Sequence, residues 1–297
     1  MKKSLILVAA VAAATGLAQA DTLKKIKDSG SVTMGVRESS GALSFTLGDG
    51  KFAGFHVEVC QRVLGDIQKS LALPKLEVKY QVVTSQNRQP LVQNGTVDIE
   101  CGSTTNNANR QKDVAFAVTT FVEEVRMAVK ANSGITNINQ LNGKKVATTT
   151  GTTSVQHLRR HERATGVNFD EVFGKDHADS FLLLESGRAD AFVMDGQILA
   201  GNIAKAKSPA DFRIAGEVLN VEPIAIMFRK DDPAFKKAVD DSIIAMIRSG
   251  DLAKLYDKWF MQPIPPANTA LRLPASDATK AAWAEPNDRP MEAYAKK

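Results

Sequence analysis

Past residue 14 the chain has no apolar run approaching the roughly 20 residues that a membrane-spanning helix needs, and its one long hydrophobic stretch, residues 5–14, is too short to span. It also lacks a block of like charge. Lysine and arginine are scattered among acids and aromatics make up 6% of the residues, so no basic patch interleaves with aromatics and a nucleic-acid partner is not expected. Three enzyme signatures are missing: a Gly-x-Ser-x-Gly elbow, a phosphate-binding loop ending in Gly-Lys-Ser/Thr, and a dinucleotide-binding glycine triplet. No catalytic residue and no cofactor are therefore assigned. Cysteine is nearly absent, at Cys60 and Cys101. Cys60 falls on the core face of a predicted helix and Cys101 ends a predicted buried strand, where single thiols pack as readily as bridged ones. A bridge and two free thiols both stand open, because a disulfide needs Cα atoms about 4.4–6.8 Å apart.

At the other end of the scale, the first 20 residues carry a clear signal. Lys2 and Lys3 precede the apolar run, and Ala18-Gln19-Ala20 forms a small-x-small cleavage site, the pattern of a secretory leader over residues 1–20. The mature chain is expected to begin at Asp21 and to lie outside the cytoplasm, in a compartment where disulfides persist. Losing the leader removes two lysines and no acids, which lowers the formal charge of +5 by two. A modest positive balance suits an anionic small molecule.

Apolar runs alternate with helical patterns: strands at 32–36, 77–83 and 97–101, helices at 57–70 and 88–93. This alternation predicts an α/β fold. The pattern then repeats. Leu91 to Gly95 followed by Val97 to Gly102 is echoed by Leu184 to Gly187 followed by Ala189 to Gly196, each reading as helix, glycine, aspartate, strand and polar turn. Segments 120–130 and 221–230 are strand-like and flank the second set. They predict two crossovers joining two lobes, lobe 1 at 21–123 with 224–297 and lobe 2 at 124–223, with a hinge between them. Helices are expected at 233–250 and 251–260, and the tail, with a helical piece near 278–285, along the surface of lobe 1.

In open α/β sheets ligands bind beyond the carboxyl ends of the strands. There the sequence places Arg37 after the first strand, Ser85 and Arg88 after the second, and Ser103 to Thr105 after the third, with Arg110 close behind. Three guanidiniums, each able to grip a carboxylate through two parallel hydrogen bonds, exceed what one carboxylate requires, so a ligand with two is expected. In lobe 2 Gly151, Thr152 and Thr153 open a helix directly after a strand, where free N–H groups either bind an anion or are capped by hydroxyls. Asp195 either caps the turn after its strand or binds a cation such as an ammonium group. His177 either reaches a ligand carboxylate or begins a helix. His157 and His161, spaced like paired metal ligands, sit among Arg159, Arg160 and Arg163 and are expected on a solvated basic face, with no metal.

Segments GVRESSGALSF (35–45), residues 84–116, TTGTTS (149–154), KDHADSFLLLESGRADAF (175–192) and YDKWFMQPIPP (256–266) closely resemble periplasmic glutamate/aspartate-binding proteins, the solute receptors of ABC importers. The likeness spans essentially the whole mature chain. It implies a two-lobed, type II periplasmic-binding fold that closes on L-glutamate or L-aspartate in its interlobe cleft, acts as a monomer, and docks on a membrane permease. It further implies that Arg110, Ser103 and Thr105 hold the α-carboxylate and α-ammonium with Asp195, while Arg37, Arg88, Ser85 and His177 face the side-chain carboxylate. A dehydratase-like enzyme on the same fold and an amino-acid sensor are the alternative uses of such a chain. Cysteine at position 60 departs from the family pattern.

Overall fold

The computed structural model describes residues 20–266 and 268–294. The leader expected at residues 1–20 lies outside them except for Ala20. The first stretch runs α1 (Thr22–Ser29), β1 (Ser31–Val36), β2 (Ser39–Ser40), β3 (Ser44–Gly48), β4 (Lys51–Ala53), α2 (Phe55–Ser70), β5 (Glu77–Val82), α3 (Arg88–Gln93), β6 (Ile99–Glu100) and β7 (Val114–Phe116). The middle runs β8 (Phe121–Lys130), β9 (Lys145–Thr149), α4 (Thr153–Thr165), β10 (Asp170–Gly174), α5 (His177–Glu185), β11 (Ala191–Asp195), α6 (Gly196–Lys205) and β12 (Phe212–Ile224). The last stretch adds β13 (Met227–Arg229), α7 (Pro233–Ser249), α8 (Asp251–Tyr256) and α9 (Asp277–Ala284).

Two five-stranded sheets result, ordered β5-β1-β6-β13-β7 and β10-β9-β11-β8-β12. The echo in the sequence is the same arrangement laid down twice. In each sheet the first strand pairs in parallel with the next two, β1 with β5 and β6, β9 with β10 and β11. Antiparallel strands complete the other side. All three parallel strands of each lobe therefore end on one edge, which is where their polar loops collect.

β8 and β12 are the expected crossovers, and they pair with each other from Phe121↔Ile224 to Val125↔Asn220, with an irregularity before Ala215↔Met127. The second crossover differs from expectation. It begins at Phe212 and ends at Ile224, while Met227–Arg229 belongs to the first sheet. β6 is shorter than the predicted 97–101 because its ladder with β1 covers two residue pairs. The helix expected at 251–260 divides, its second half winding as a π turn at Asp257–Met261.

Inward positions of α2 recur three and four residues apart, at Val59, Cys60, Val63, Leu64 and Ile67, the spacing of an amphipathic helix. They pack with aromatics of the C-terminal segment: Phe55 meets Tyr256 and Phe260, and Phe121 stacks on Phe260 at 5.2 Å. The tail does more than line the first lobe. Thr279 Oγ1 both accepts from Val122 N and donates to Val122 O, and Trp283 Nε1 donates to Thr120 O at 2.8 Å, so α9 straps the base of β8.

Cys60 and Cys101 form a disulfide with Cα atoms 6.4 Å apart. One turn earlier on α2, His56 meets Gly102 O and Thr120 Oγ1. Both tie α2 to the loop after β6. Replacing both cysteines by alanine should lower the unfolding free energy by about 4 kcal/mol, the chain-entropy value for a closed loop of this size. A denaturant titration with an unchanged midpoint would mean that packing alone already holds this loop.

Candidate functional site

The carboxyl edges of the two sheets face each other, and the loops leaving them bring the sequence-predicted residues together. Arg37 follows β1, Ser85 follows β5, Arg88 opens α3, Ser103 and Thr105 follow β6, and Arg110 begins a short 3-10 turn. From the other lobe come Gly151 and Thr152 after β9, Thr153 at the start of α4, His177 at the start of α5 and Asp195 at the end of β11. All of these are buried except Gly151. A groove of about 510 Å³ opens beside them, lined by Gln89, Asn107 and Arg110 on one side and Gly151, Gln156 and Phe173 on the other.

The lobes touch through these loops. Arg37 Nη2 forms an ion pair with Asp176 and lies 3.2 Å from His177 Nε2. Ser39 Oγ donates to Asp176 Oδ2 at 2.6 Å and accepts from Ala178 N. Arg110 donates to Thr105 O at 2.8 Å and, across the cleft, to Gly151 O at 3.4 Å. Gly151 has φ of +81°, and a Cβ there would sit 2.7 Å from Gln86 Cα, so backbone meets backbone at that point.

Other donors have no protein acceptor among the described residues: Arg37 Nε and Nη1, Arg88 Nε and Nη1, and Ser85 Oγ. Local geometry bears on two alternatives left open by the sequence, since neither candidate cap is made. Thr152 stands at the N-cap of α4 but makes no side-chain cap and turns its hydroxyl back to Thr149 O. Asp195 stands at the N-cap of α6 and makes no side-chain cap either. His177 begins α5 and lies buried among these residues, its Nδ1 3.0 Å from Thr149 Oγ1.

The charge balance differs from the three arginines and one aspartate that the sequence suggested. Asp176 is committed to Arg37, and Glu100, Glu123 and Glu222 are also buried here. Burial, and then the charge of Glu222, pushes Asp195 up to about 8. Glu123 rises for the same first reason, with Asp195 next. Burial pushes Glu222 upward too, but hydrogen bonds from His157, Thr105 and Thr153 outweigh it and hold it below the usual carboxylate range. Arg88 falls to about 9 through burial and then the neighbouring charge of Arg110, and so stays cationic at neutral pH.

His157 corrects the expected solvated face. It is buried and its Nε2 meets Glu222 Oε1 at 2.5 Å, whereas His161 turns outward to Asn139 Oδ1. Glu222, Glu123, Asp176 and His157 were missed as members of the cleft. The available signal was slight, since Glu123 follows Phe121-Val122 and Glu222 follows Val221 but both strands carry other charged residues, such as Glu124 and Arg213. Among the described residues no cluster of three or more His, Cys, Asp or Glu could hold a metal ion, and no helix is long and apolar enough to cross a membrane.

Residues 32–262 match the bacterial extracellular solute-binding proteins, family 3. The chain belongs to this family. It is 46% identical over 273 residues to the L-glutamate/L-aspartate-binding protein of Pseudomonas aeruginosa, covering 91% of this chain and 90% of that one. Over 299 residues it is 43% identical to the glutamate/aspartate import solute-binding protein of Escherichia coli, covering 98% and 99%. A mutant of ArgBP from T. maritima superimposes with a TM-score of 0.72 at 25% identity, over 82% of this chain and 100% of that chain. The fold is thus the two-lobed periplasmic-binding type that the sequence implied.

The buried titrating groups give this solute-binding protein a defined pH response. Burial first holds His56 to about 4 and His177 to about 3, against roughly 6.5 for an unfolded histidine. The unfolded chain binds more protons in that interval, so their stabilisation is whole above about pH 6.5 and is lost as the pH falls toward 4 and 3. Asp195 acts oppositely. It keeps a proton up to about 8 that an unfolded aspartate releases near 3.9, so its contribution declines as the pH rises through that window. Asp195→Asn should therefore raise the thermal midpoint relative to the parent more at about pH 8 than at about pH 5. A difference that stays constant between the two would show that Asp195 does not titrate in this interval.

Proposed function

We propose that this protein is a periplasmic receptor that captures L-glutamate or L-aspartate between its lobes and delivers it to the permease of an ABC importer. The observation that carries this is the unanswered donor set on the cleft floor: Arg88, Ser85 and Arg37 hold buried N–H and O–H groups without acceptors among the described residues. Leaving such groups dry costs roughly 1–3 kcal/mol apiece, more where they are charged. An anionic guest answers several at once. The likeness to two relatives named for glutamate and aspartate supports that choice of guest, and the word import in the name of one supports delivery.

In this reading the ligand set is Arg37, Ser85, Arg88, Ser103, Thr105, Arg110, Gly151, Thr152, Thr153, His177 and Asp195. Arg88, Ser85, His177 and the free edges of Arg37 face the side-chain carboxylate. Arg110 and the uncapped start of α4 take the α-carboxylate, where N–H groups and the helix dipole favour an anion. Asp195, held protonated in the empty cleft by burial and Glu222, is driven to its ionised form by the incoming ammonium and takes it. The lobes divide at 123/124 and 223/224, within the β8–β12 ladder, and a leader at 1–20 directs the chain to the periplasm. The protein works as a monomer by capture and release, with no catalytic step, cofactor or metal.

A few charge-assisted bonds at roughly 1.5–3 kcal/mol each, less ordering costs, reach the roughly 8 kcal/mol of micromolar binding. Arg88→Ala or Arg110→Ala should weaken L-glutamate binding by about 2 kcal/mol or more, about 30-fold. Near-unchanged calorimetric affinity in both would remove them from the site. In a thermal-shift screen of the common amino acids, glutamate or aspartate should stabilise the protein most; greater stabilisation by glutamine or lysine would overturn the dicarboxylate reading.

Closure itself can be tested at a distance from the ligand. An alanine Cβ at Gly201 on α6 would lie 2.9 Å from Gly41 Cα in the opposite lobe. Within a helix the same change is favourable by roughly 0.5–1 kcal/mol. Gly201→Ala should therefore weaken glutamate binding by about tenfold, near 1.4 kcal/mol, without lowering the thermal midpoint of the free protein. Equal affinity would mean that α6 does not close on residue 41.

A further inference from the structure

Glu222 lies on β12 in the hinge, fully buried, and has no place in the ligand set above. Its Oε2 accepts from Thr105 Oγ1 at 2.5 Å and from Thr153 Oγ1 at 2.8 Å, and its Oε1 accepts from His157 Nε2 at 2.5 Å. Thr105 belongs to the loop after β6 in one lobe, and Thr153 opens α4 in the other. One hinge carboxylate thus holds a hydroxyl from each lobe. The two hydroxyl oxygens lie 3.5 Å apart.

A threonine hydroxyl has one proton to donate and two lone pairs. With both protons directed to Glu222 Oε2, neither hydroxyl has a proton left for the other or for a guest in the cleft. What remains on each oxygen is acceptor capacity. An ionised carboxylate likewise only accepts, and hydrogen bonds from His157 and the two threonines hold Glu222 ionised. Asp195 stands close enough for the charge of Glu222 to be felt strongly.

We propose that Glu222 is a positioning residue that sets the polarity of the ammonium end of the cleft: by fixing the Thr105 and Thr153 protons it presents two acceptor oxygens, beside Asp195, to a primary ammonium. A carboxylate entering the wrong way round meets acceptors and is rejected. Glu222 touches no ligand in this arrangement and acts through the two threonines. The inference rests on the reading of the cleft as an amino-acid site.

The competing role for Glu222 is a simple brace of the hinge with His157. A brace would change the affinity of every ligand in proportion, whereas a polarity device changes the preference for a ligand that carries an ammonium. Glutarate is L-glutamate without that group. Calorimetry and displacement titrations on the full protein therefore compare L-glutamate with glutarate, the latter at up to high millimolar concentration. In Glu222→Leu no acceptor remains for either threonine hydroxyl, and both protons are free to turn toward the cleft. Its glutamate-over-glutarate preference should fall by about fivefold or more; a smaller change overturns the inference.

Should that variant fail to fold by circular dichroism, Thr153→Val and Thr153→Ser decide. Valine should lower the same ratio by about fivefold and serine, which keeps the hydroxyl, should leave it within about twofold; equal ratios in the two overturn the inference. Failure of the unsubstituted protein to bind any amino acid would overturn the amino-acid reading of the cleft. Binding with an unmoved ratio in the variants would overturn the role of Glu222 alone.

Discussion

Arg37, Arg88 and Arg110 are all taken out of water within one interlobe space, and a desolvated guanidinium costs several kcal/mol unless an anion or oriented dipoles meet it. The surroundings follow from that demand. Asp176 crosses from the second lobe to Arg37. Backbone carbonyls of Thr105 and Gly151 take Arg110. For Arg88 the nearby charges are Glu100 and Asp195, offset by Arg110 and Arg37, and two of its nitrogens, Nε and Nη1, have no acceptor among the described residues. The cleft is therefore a field of both signs, positive on its floor and acceptor-rich at the hinge, which is the pattern a zwitterion with a second carboxylate complements.

The scaffold is arranged so that these groups meet at all. Parallel strands in both lobes end on facing edges, so side chains from six separate strand ends and the loops that follow them converge. Preorganisation comes from behind the site. The disulfide and His56 fasten the loop after β6 to α2, and α9 straps the hinge strand β8. The hinge ladder carries Glu123 and Glu222 side by side in register, an arrangement that is unfavourable for two like charges unless one is protonated or paired. Here Glu123 is raised and Glu222 is paired with His157.

Much of this could be read without coordinates where the signal was local. Arg37, Arg88 and Arg110 each sit just past an apolar strand or at the start of a helix, and the repeated helix, glycine, aspartate and strand revealed two lobes of one plan. The failures share a cause. His157 was assigned to a solvated face because Arg159, Arg160 and Arg163 surround it in the chain; which face of a helix is wet depends on what the helix packs against, and α4 packs on the hinge. Asp176 and Glu222 bind partners more than 60 residues away along the chain, beyond any periodicity. The tail packs on the core of the first lobe through Leu271, Leu273 and Trp283, while its hydrogen bonds to Thr120 and Val122 leave no pattern in its own short helix.

By itself the sequence determined which residues end the strands, hence the α/β plan, the doubled lobe and the arginine-rich floor, because hydrophobic period and turn chemistry act over a few residues. Only the tertiary structure decided the cysteine bridge, the ion pair between Arg37 and Asp176, and the hinge carboxylate shared by Thr105 and Thr153. Each of these depends on a distance between groups far apart in the chain, and such distances are fixed by how the two sheets and the hinge pack, not by any run of neighbouring residues.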